Sequence, residues 1–217
     1  MRRYDAVIFD LDGTLLDTSE GVLGSVRYVI DKLSLPEIPY DKLRTFIGPP
    51  IQRSFERIYG LDEDAAKNAA DMFRNRYKDH DLLKAVPYDG MFETIEELSR
   101  AGIRTAVATY KRQDYADRIL EHFGFDKVCD HICGSDFEQK LSKSDIIENA
   151  IRLLEVSDRS RVVMVGDSDN DAEGAKGIGV PFVGVTYGFG FATEDDVNAF
   201  PNIGSAKCCS DILRCVL

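Results

Sequence analysis

The sequence predicts an α/β protein: a doubly wound, Rossmann-like parallel sheet core with an all-helical cap domain inserted after strand 1. Three observations predict it. Short runs rich in β-branched residues, apolar almost throughout, recur at 6–9 (AVIF), 104–109 (RTAVAT) and 161–166 (RVVMVG). Continuous rather than alternating apolarity marks strands buried on both faces. After residue 85 these runs alternate with helical patterns, the rhythm of a parallel sheet with crossover helices. Residues 17–85 instead hold helical periodicity alone.

Taken in order, AVIF delivers the chain to two acids, Asp10 and Asp12, followed by Gly13 and Thr14. Helices are expected over roughly 18–34, 50–59 and 62–80. IGPP (47–50) separates the first two, and GLDED (60–64) supplies a turn and an acidic helix start. Within this insert, Met72, Phe73 and Tyr77 read as its core. AVPYDG (85–90) returns the chain to the α/β part. For the core to close, the ends of the insert near 17 and 86 must lie close together. The expected division is therefore a core of 1–16 with 86–217 and a cap of 17–85 above the tip of strand one. Beyond it, helices are expected at 89–101, 112–123, 143–155 and 170–178. In the second of these Tyr115, Ala116, Ile119, Leu120 and Phe123 share a face. PFVGVTYG (181–188) and HICG (131–134) are further strand candidates.

Composition excludes some classes. A formal charge of −11 with no basic stripe argues against a nucleic-acid binder. It also means that a phosphorylated ligand needs a local positive site or a metal. No window approaches the ~18 continuous apolar residues of a membrane span. The apolar run after MRRYD stops at acids, unlike a signal peptide. Five cysteines, an odd count, suit reduced thiols and a cytoplasmic protein. CDHIC (129–133) lacks the usual spacing of a zinc site, and Cys133 reads as a packed strand residue.

In an open parallel sheet, ligands bind beyond the carboxyl ends of the strands. Here those ends carry Asp10 and Asp12; Thr109, Tyr110 and Lys111; and, in GDSDND, Asp167, Asp169 and Asp171. Lys143 opens a helix between them, with Ser142 or Ser144 as its cap. A tight turn would account for Asp and Gly at 10–13, but for neither Asp167 nor Lys143. Converging carboxylates repel unless something neutralises them. A hard divalent cation such as Mg²⁺ does so, commonly with substrate phosphate oxygens completing its shell. The group that uses both Mg²⁺ and a Lys–Thr pocket is a phosphoryl group. An aspartate held against its phosphorus can attack and form an aspartyl-phosphate. Asp169 is read as solvated, and Arg53 and Lys111 as cations that could reach substrate but are expected to lie idle on the surface.

DLDGTL (10–15), the strand-ending Thr109, the helix-opening Lys143 and VGDSDND (165–171) together resemble the four motifs of the haloacid dehalogenase-like (HAD) hydrolases. The match runs in order over the whole chain, and the helical insert resembles that superfamily's C1 cap. FIGPPIQRSF (46–55), ILEHFGFDK (119–127) and GVTYGFG (184–190) further resemble the phosphoglycolate phosphatase and 5′-nucleotidase-like branch. The resemblance implies an Mg²⁺-dependent phosphatase acting on a small phosphorylated metabolite through an aspartyl-phosphate. A phosphomutase of the β-phosphoglucomutase type and a catalytically silent binding protein on the same fold are the alternatives. By the same resemblance Asp10 is nucleophile and metal ligand, and Asp12 is acid/base and binds the metal through its backbone carbonyl. Thr109 and Lys143 would hold the phosphoryl oxygens, Asp167 would ligate the metal, and Asp171 would support the metal's waters. Two positions depart from the family pattern. Ser144 stands where proline often follows the lysine, and Tyr110 stands where a small or amide residue often follows the threonine. The Tyr110 ring could narrow or line the pocket.

Overall fold

The computed structural model describes residues 3–138 and 140–217. Its central strand, β1 (Ala6–Phe9), has no exposed residue. Two short strands follow, β2 (Leu16–Asp17) and β3 (Val86–Pro87). The remaining strands are β4 (Arg104–Arg112), β5 (His131–Ser135), β6 (Val162–Gly166), β7 (Phe182–Val185) and β8 (Gly204–Ala206). Six of them form one sheet in the order β5-β4-β1-β6-β7-β8, every neighbouring pair parallel. This is a doubly wound α/β sheet, and β1 lies at its switch point, with β4 on one side and β6 on the other.

The chain divides into two compact units, Met1–Leu16 with Pro87–Leu217, and Asp17–Val86. It passes between them along β2 and β3, which pair as a two-stranded ribbon. In the sheet unit, α5 (Met91–Arg100), α6 (Gln113–Phe123), α7 (Lys143–Leu153) and α8 (Asp169–Ile178) are the main helices. One core layer joins Ile8, Ala106 and Met164 of the sheet to Ile146, Ile147 and Ala150 of α7 and Ala172 and Ala175 of α8. Each such aliphatic side chain removed from water contributes about 1.5–3 kcal/mol, with alanine well below that range.

Three elements differ from expectation for identifiable reasons. Strand β4 continues through Arg112, because its pairing with β5 slips between Ala108–Cys133 and Arg112–Ser135. An irregularity of that kind lets polar residues extend a strand without an apolar pattern. Strand β8 has no β-branched residue and exists through its pairing with β7. Short helices at Glu194–Asn198 and Asp211–Val216 carry too few turns to announce themselves by periodicity.

The helical unit holds α1 (Ser19–Lys32), α2 (Tyr40–Arg44), α3 (Ile51–Tyr59) and α4 (Glu63–Arg76). Helix α2 was not legible, since five residues bring only one buried side chain, Leu43. Asp62 caps α4 by accepting the Ala65 N–H at 2.9 Å. That helix ends earlier than its periodicity suggests, in a π-helical turn over Tyr77–Asp81. The turn delivers Asp81 into the interior, where its carboxylate meets Ser25 Oγ and Arg76 Nε at 2.9 Å and Lys84 Nζ at 2.8 Å. Phe73 and Tyr77 are buried and stacked at 5.3 Å, whereas Met72, one step round the helix, is half-buried. Among the described residues, no helix is long and apolar enough to cross a membrane.

Because Ile8 sits at the centre of β1 with no exposure, Ile8→Ala should cost about 2–5 kcal/mol in stability. Urea unfolding of the two proteins measures this, and a loss near zero would contradict the assignment of β1 as the central packed strand.

Candidate active site

Register alone brings three strand ends together. Phe9 lies opposite Val107 on one side and Val165 on the other. The next residue, Asp10, donates its N–H to the Val165 carbonyl at 2.9 Å. Asp10 and Asp167, just past the ends of β1 and β6, and Thr109, where the regular pairing of β4 gives out, thus come from adjacent strands at the switch point, where such sheets form a crevice. Past Asp10 the chain turns tightly: the N–H groups of Leu15 and Leu16 both reach the Leu11 carbonyl at 3.0 Å. Gly13 adopts φ +88°, and a Cβ there would overlap the Asp167 carboxylate and the Phe189 ring. Only glycine fits both the conformation and the space. The Tyr187 hydroxyl donates to the Thr14 carbonyl at 3.1 Å and ties down the far side of the turn.

At the centre is a buried cation. Lys143 is 3% exposed, and its Nζ lies 2.5 Å from Asp10 Oδ1 and 2.7 Å from Asp171 Oδ1. Burial alone would lower the lysine's pKa, but the two carboxylates outweigh it and hold it above the ordinary lysine value. Asp10 is raised well above a normal aspartate. Burial is the main cause, opposed by Lys143 and reinforced by Asp171, Asp167 and Asp12. Asp167 is pushed up to about 7, mainly by burial and then by Asp171, against the pull of two backbone hydrogen bonds. Those bonds come from the amides of Phe189 (2.7 Å) and Gly190 (3.1 Å) to Asp167 Oδ2. Asp171 Oδ2 accepts the amide (3.1 Å) and hydroxyl (2.7 Å) of Ser168.

Asp10, Asp167 and Asp171 each bring an oxygen within 4.8 Å of the others. Three buried carboxyl groups face one ammonium, and burial with their mutual repulsion lifts Asp10 and Asp167 toward the protonated form. An all-oxygen donor set of this kind fits a hard divalent cation such as Mg²⁺. Asp171 has both oxygens engaged, by Lys143 and by Ser168, which suits it to orienting its neighbours.

Asp12 is buried but its carboxylate lies outside that cluster, with Oδ1 3.1 Å from Lys111 Nζ. The reading of Lys111 as a surface cation is corrected here, since its side chain is only 7% exposed. Lys111 lies in the irregular stretch of β4 between Ala108 and Arg112, past the end of the expected strand, so no pattern announced that it turns inward. Thr109 is buried, and its hydroxyl oxygen accepts the Lys111 N–H at 3.1 Å, leaving the hydroxyl proton to donate elsewhere. Tyr110, between them, takes the opposite face. It packs on the core beside α7, and its hydroxyl accepts the Lys143 N–H at 3.0 Å. Ser142 is the α7 cap, in a reciprocal pairing with Asp145. Arg53 is exposed on α3 in the helical unit, and Asp169 is exposed at the start of α8. The amides of Phe189 and Gly190 carry no sequence signal of chemistry, since backbone donors are common to all residues. Cys129 and Cys133 are buried, which pushes their thiols up to about 12 and about 11.

Residues 7–185 match the family described as haloacid dehalogenase-like hydrolase, and the chain belongs to that family. It is 36% identical over 198 residues to a 5′-nucleotidase of Pseudomonas aeruginosa, covering 91% of this chain and 88% of that one. Over 187 residues it is 35% identical to the tyrosine-protein kinase PtkA of Mycobacterium tuberculosis, covering 86% of this chain and 63% of the other. A phosphoglycolate phosphatase of Caulobacter vibrioides is 32% identical over 197 residues, covering 88% and 81%. Among solved structures, a predicted phosphatase from Clostridium acetobutylicum superposes with a TM-score of 0.88 at 34% identity, covering 97% of this chain and 99% of that one. The chain is thus an enzyme of a hydrolase family, with phosphatase-named relatives over most of its length.

The raised carboxylates make stability depend on pH in a definite direction. Without a cation, the native state keeps protons on Asp10 and Asp167 that unfolded aspartates release near ~3.9. Stability therefore falls as pH rises from about 4 through about 7. Carboxylates with lowered pKa, such as Asp114 beside Arg112, act in the opposite sense and only below about pH 4. Thermal unfolding in EDTA should show a lower Tm at about pH 8 than at about pH 5.5. Mg²⁺ should raise Tm more at the higher pH, and Asp167→Asn should flatten the profile. A Tm that rises over this interval in EDTA would contradict the account.

Proposed function

We propose that the chain is an Mg²⁺-dependent phosphatase that hydrolyses a small phosphorylated metabolite, of the phosphoglycolate or 5′-nucleotide kind, through an aspartyl-phosphate on Asp10. The observation that carries the reading is the setting of Asp10: a buried carboxylate with Lys143 on one oxygen, Asp167 and Asp171 beside it, and Asp12 two residues on. The names of the P. aeruginosa and C. vibrioides relatives support the substrate class.

In the first half-reaction an Asp10 oxygen attacks phosphorus, the bond from phosphorus to the leaving oxygen breaks, and Asp12 supplies that oxygen with a proton. In the second, Asp12 takes a proton from water as the water oxygen attacks phosphorus. The Asp10–phosphorus bond breaks, releasing inorganic phosphate and restoring both side chains. Lys143 offsets charge on the nucleophile and the transferring oxygens, and the Thr109 hydroxyl donates to one of them. Lys111 holds the Asp12 carboxylate in place. Asp10 and Asp167 would hold Mg²⁺, together with the Asp12 backbone carbonyl, and Asp171 would support its waters. When bound, the ion offsets the repulsion between the carboxylates and the phosphoryl oxygens.

A second reading, transfer of the phosphoryl group to another hydroxyl, takes weight from the kinase-named relative. It shares the first half-reaction and differs only in the acceptor, so inorganic phosphate release separates the two.

A panel of phosphorylated metabolites with a phosphate-release readout should give turnover that EDTA abolishes and Mg²⁺ restores. Asp10→Asn should lower kcat by at least ~10³-fold, and Asp12→Ala by about 10²–10⁴-fold, with both variants folded by circular dichroism. Full activity of Asp10→Asn, or turnover indifferent to EDTA, would refute the mechanism.

A further inference from the structure

The two departures from the family pattern, Tyr110 and Ser144, act on one place: the first turn of α7. The Tyr110 hydroxyl accepts the backbone N–H of Lys143 at 3.0 Å. That N–H belongs to the first residue of the helix, one of the donors that have no partner within a helix. The Ser142 cap does not serve it, because the Ser142 hydroxyl is engaged by the Asp145 N–H. The Tyr110 ring also lies beside the lysine ammonium, 5.6 Å from Nζ to the ring centroid, within the range of a cation–π contact. On the other side, the Ser144 hydroxyl donates to the Gly174 carbonyl at 2.9 Å and pins the same turn to α8. Gly174 is itself required, since a Cβ there would come within 2.7–2.9 Å of Lys143 Cγ and Cβ. Lys143 is thus gripped along its whole length: at its amide by Tyr110, along its stem by α8, and at its ammonium by Asp10 and Asp171.

We propose that Tyr110 is a positioning residue for Lys143, with its hydroxyl on the lysine's amide and its ring beside the ammonium fixing where the positive charge meets Asp10. A proline after the lysine would stiffen this turn by presetting its backbone angle. This chain has serine there and reaches the same end with two side-chain hydrogen bonds. A misplaced charge costs rate more than binding, because the ammonium is needed most when charge builds on the transferring oxygens. The kinetic consequence rests on the phosphatase reading above, whereas the geometric claim does not.

Tyr110→Phe keeps the ring and removes only the hydroxyl. By NMR, the Lys143 amide should exchange with solvent about tenfold faster in the variant. With a substrate from the panel, kcat should fall about tenfold, the scale of one lost hydrogen bond. KM should stay within about twofold, and the Tm of the variant should fall by no more than about 2–4 °C, the scale of that one bond. Introduced into Lys143→Ala and read in single turnovers with enzyme in excess, the same substitution should change the rate by less than about twofold, since the group it positions is gone. Equal losses in both backgrounds, unchanged kcat, or unchanged exchange at Lys143 would overturn the proposal. If the wild-type chain releases phosphate from nothing in the panel, the functional reading fails instead, and the amide exchange decides the positioning claim alone.

Discussion

An ammonium held between two carboxylates in the interior, Lys143 against Asp10 and Asp171, is the interaction around which the sheet unit's chemistry is organised. Isolated burial of any one of these charges would be costly, and removing one partner of such a cluster leaves an unpaired charge in a dry place. The fold tolerates the arrangement because each member is tied to a different element. Asp10 hangs from the end of β1, Asp171 from the first turn of α8, and Lys143 from the first turn of α7. The cluster can therefore form only when the sheet and both helices are docked. With one ammonium for three close carboxyl groups, Asp10 and Asp167 are lifted toward their protonated forms, and an oxygen donor set of this kind fits a hard divalent cation.

The surrounding residues work as braces. Asp167 is fixed by two amides of the segment after β7, and Gly13 lets the β1 turn pass against that carboxylate. Asp12, two residues from Asp10, goes to Lys111 and stays outside the three-carboxylate cluster. The two acids that share the tip of one strand therefore meet different cations, an electrostatic division that fits two different roles.

Much of this was legible in the sequence, for physical reasons that differ between elements. The buried strands declared themselves because a strand covered on both faces must be apolar throughout, as AVIF and VVMV are. The parallel order then dictated that Asp10, Thr109 and Asp167 meet at one edge. What escaped was whatever depends on pairing or packing rather than pattern. The extension of β4 through polar residues, the three-residue β8 and the five-residue α2 gain their structure from neighbours. Lys111 was misread because it lies past the apolar run, in an irregular stretch of β4 where only the fold turns its side chain inward to Asp12. The hydroxyl of Tyr110 on the Lys143 amide could not be foreseen, since it joins residues 33 positions apart through a helix end whose placement only the fold fixes.

The central claim is that Asp10 becomes covalently phosphorylated during turnover. The direct measurement is mass spectrometry after quenching the working enzyme with borohydride, which reduces an aspartyl-phosphate to homoserine. The account predicts homoserine at position 10, dependent on both Mg²⁺ and substrate. Sustained phosphate release with the Asp10 peptide left unmodified under the same quench would contradict it.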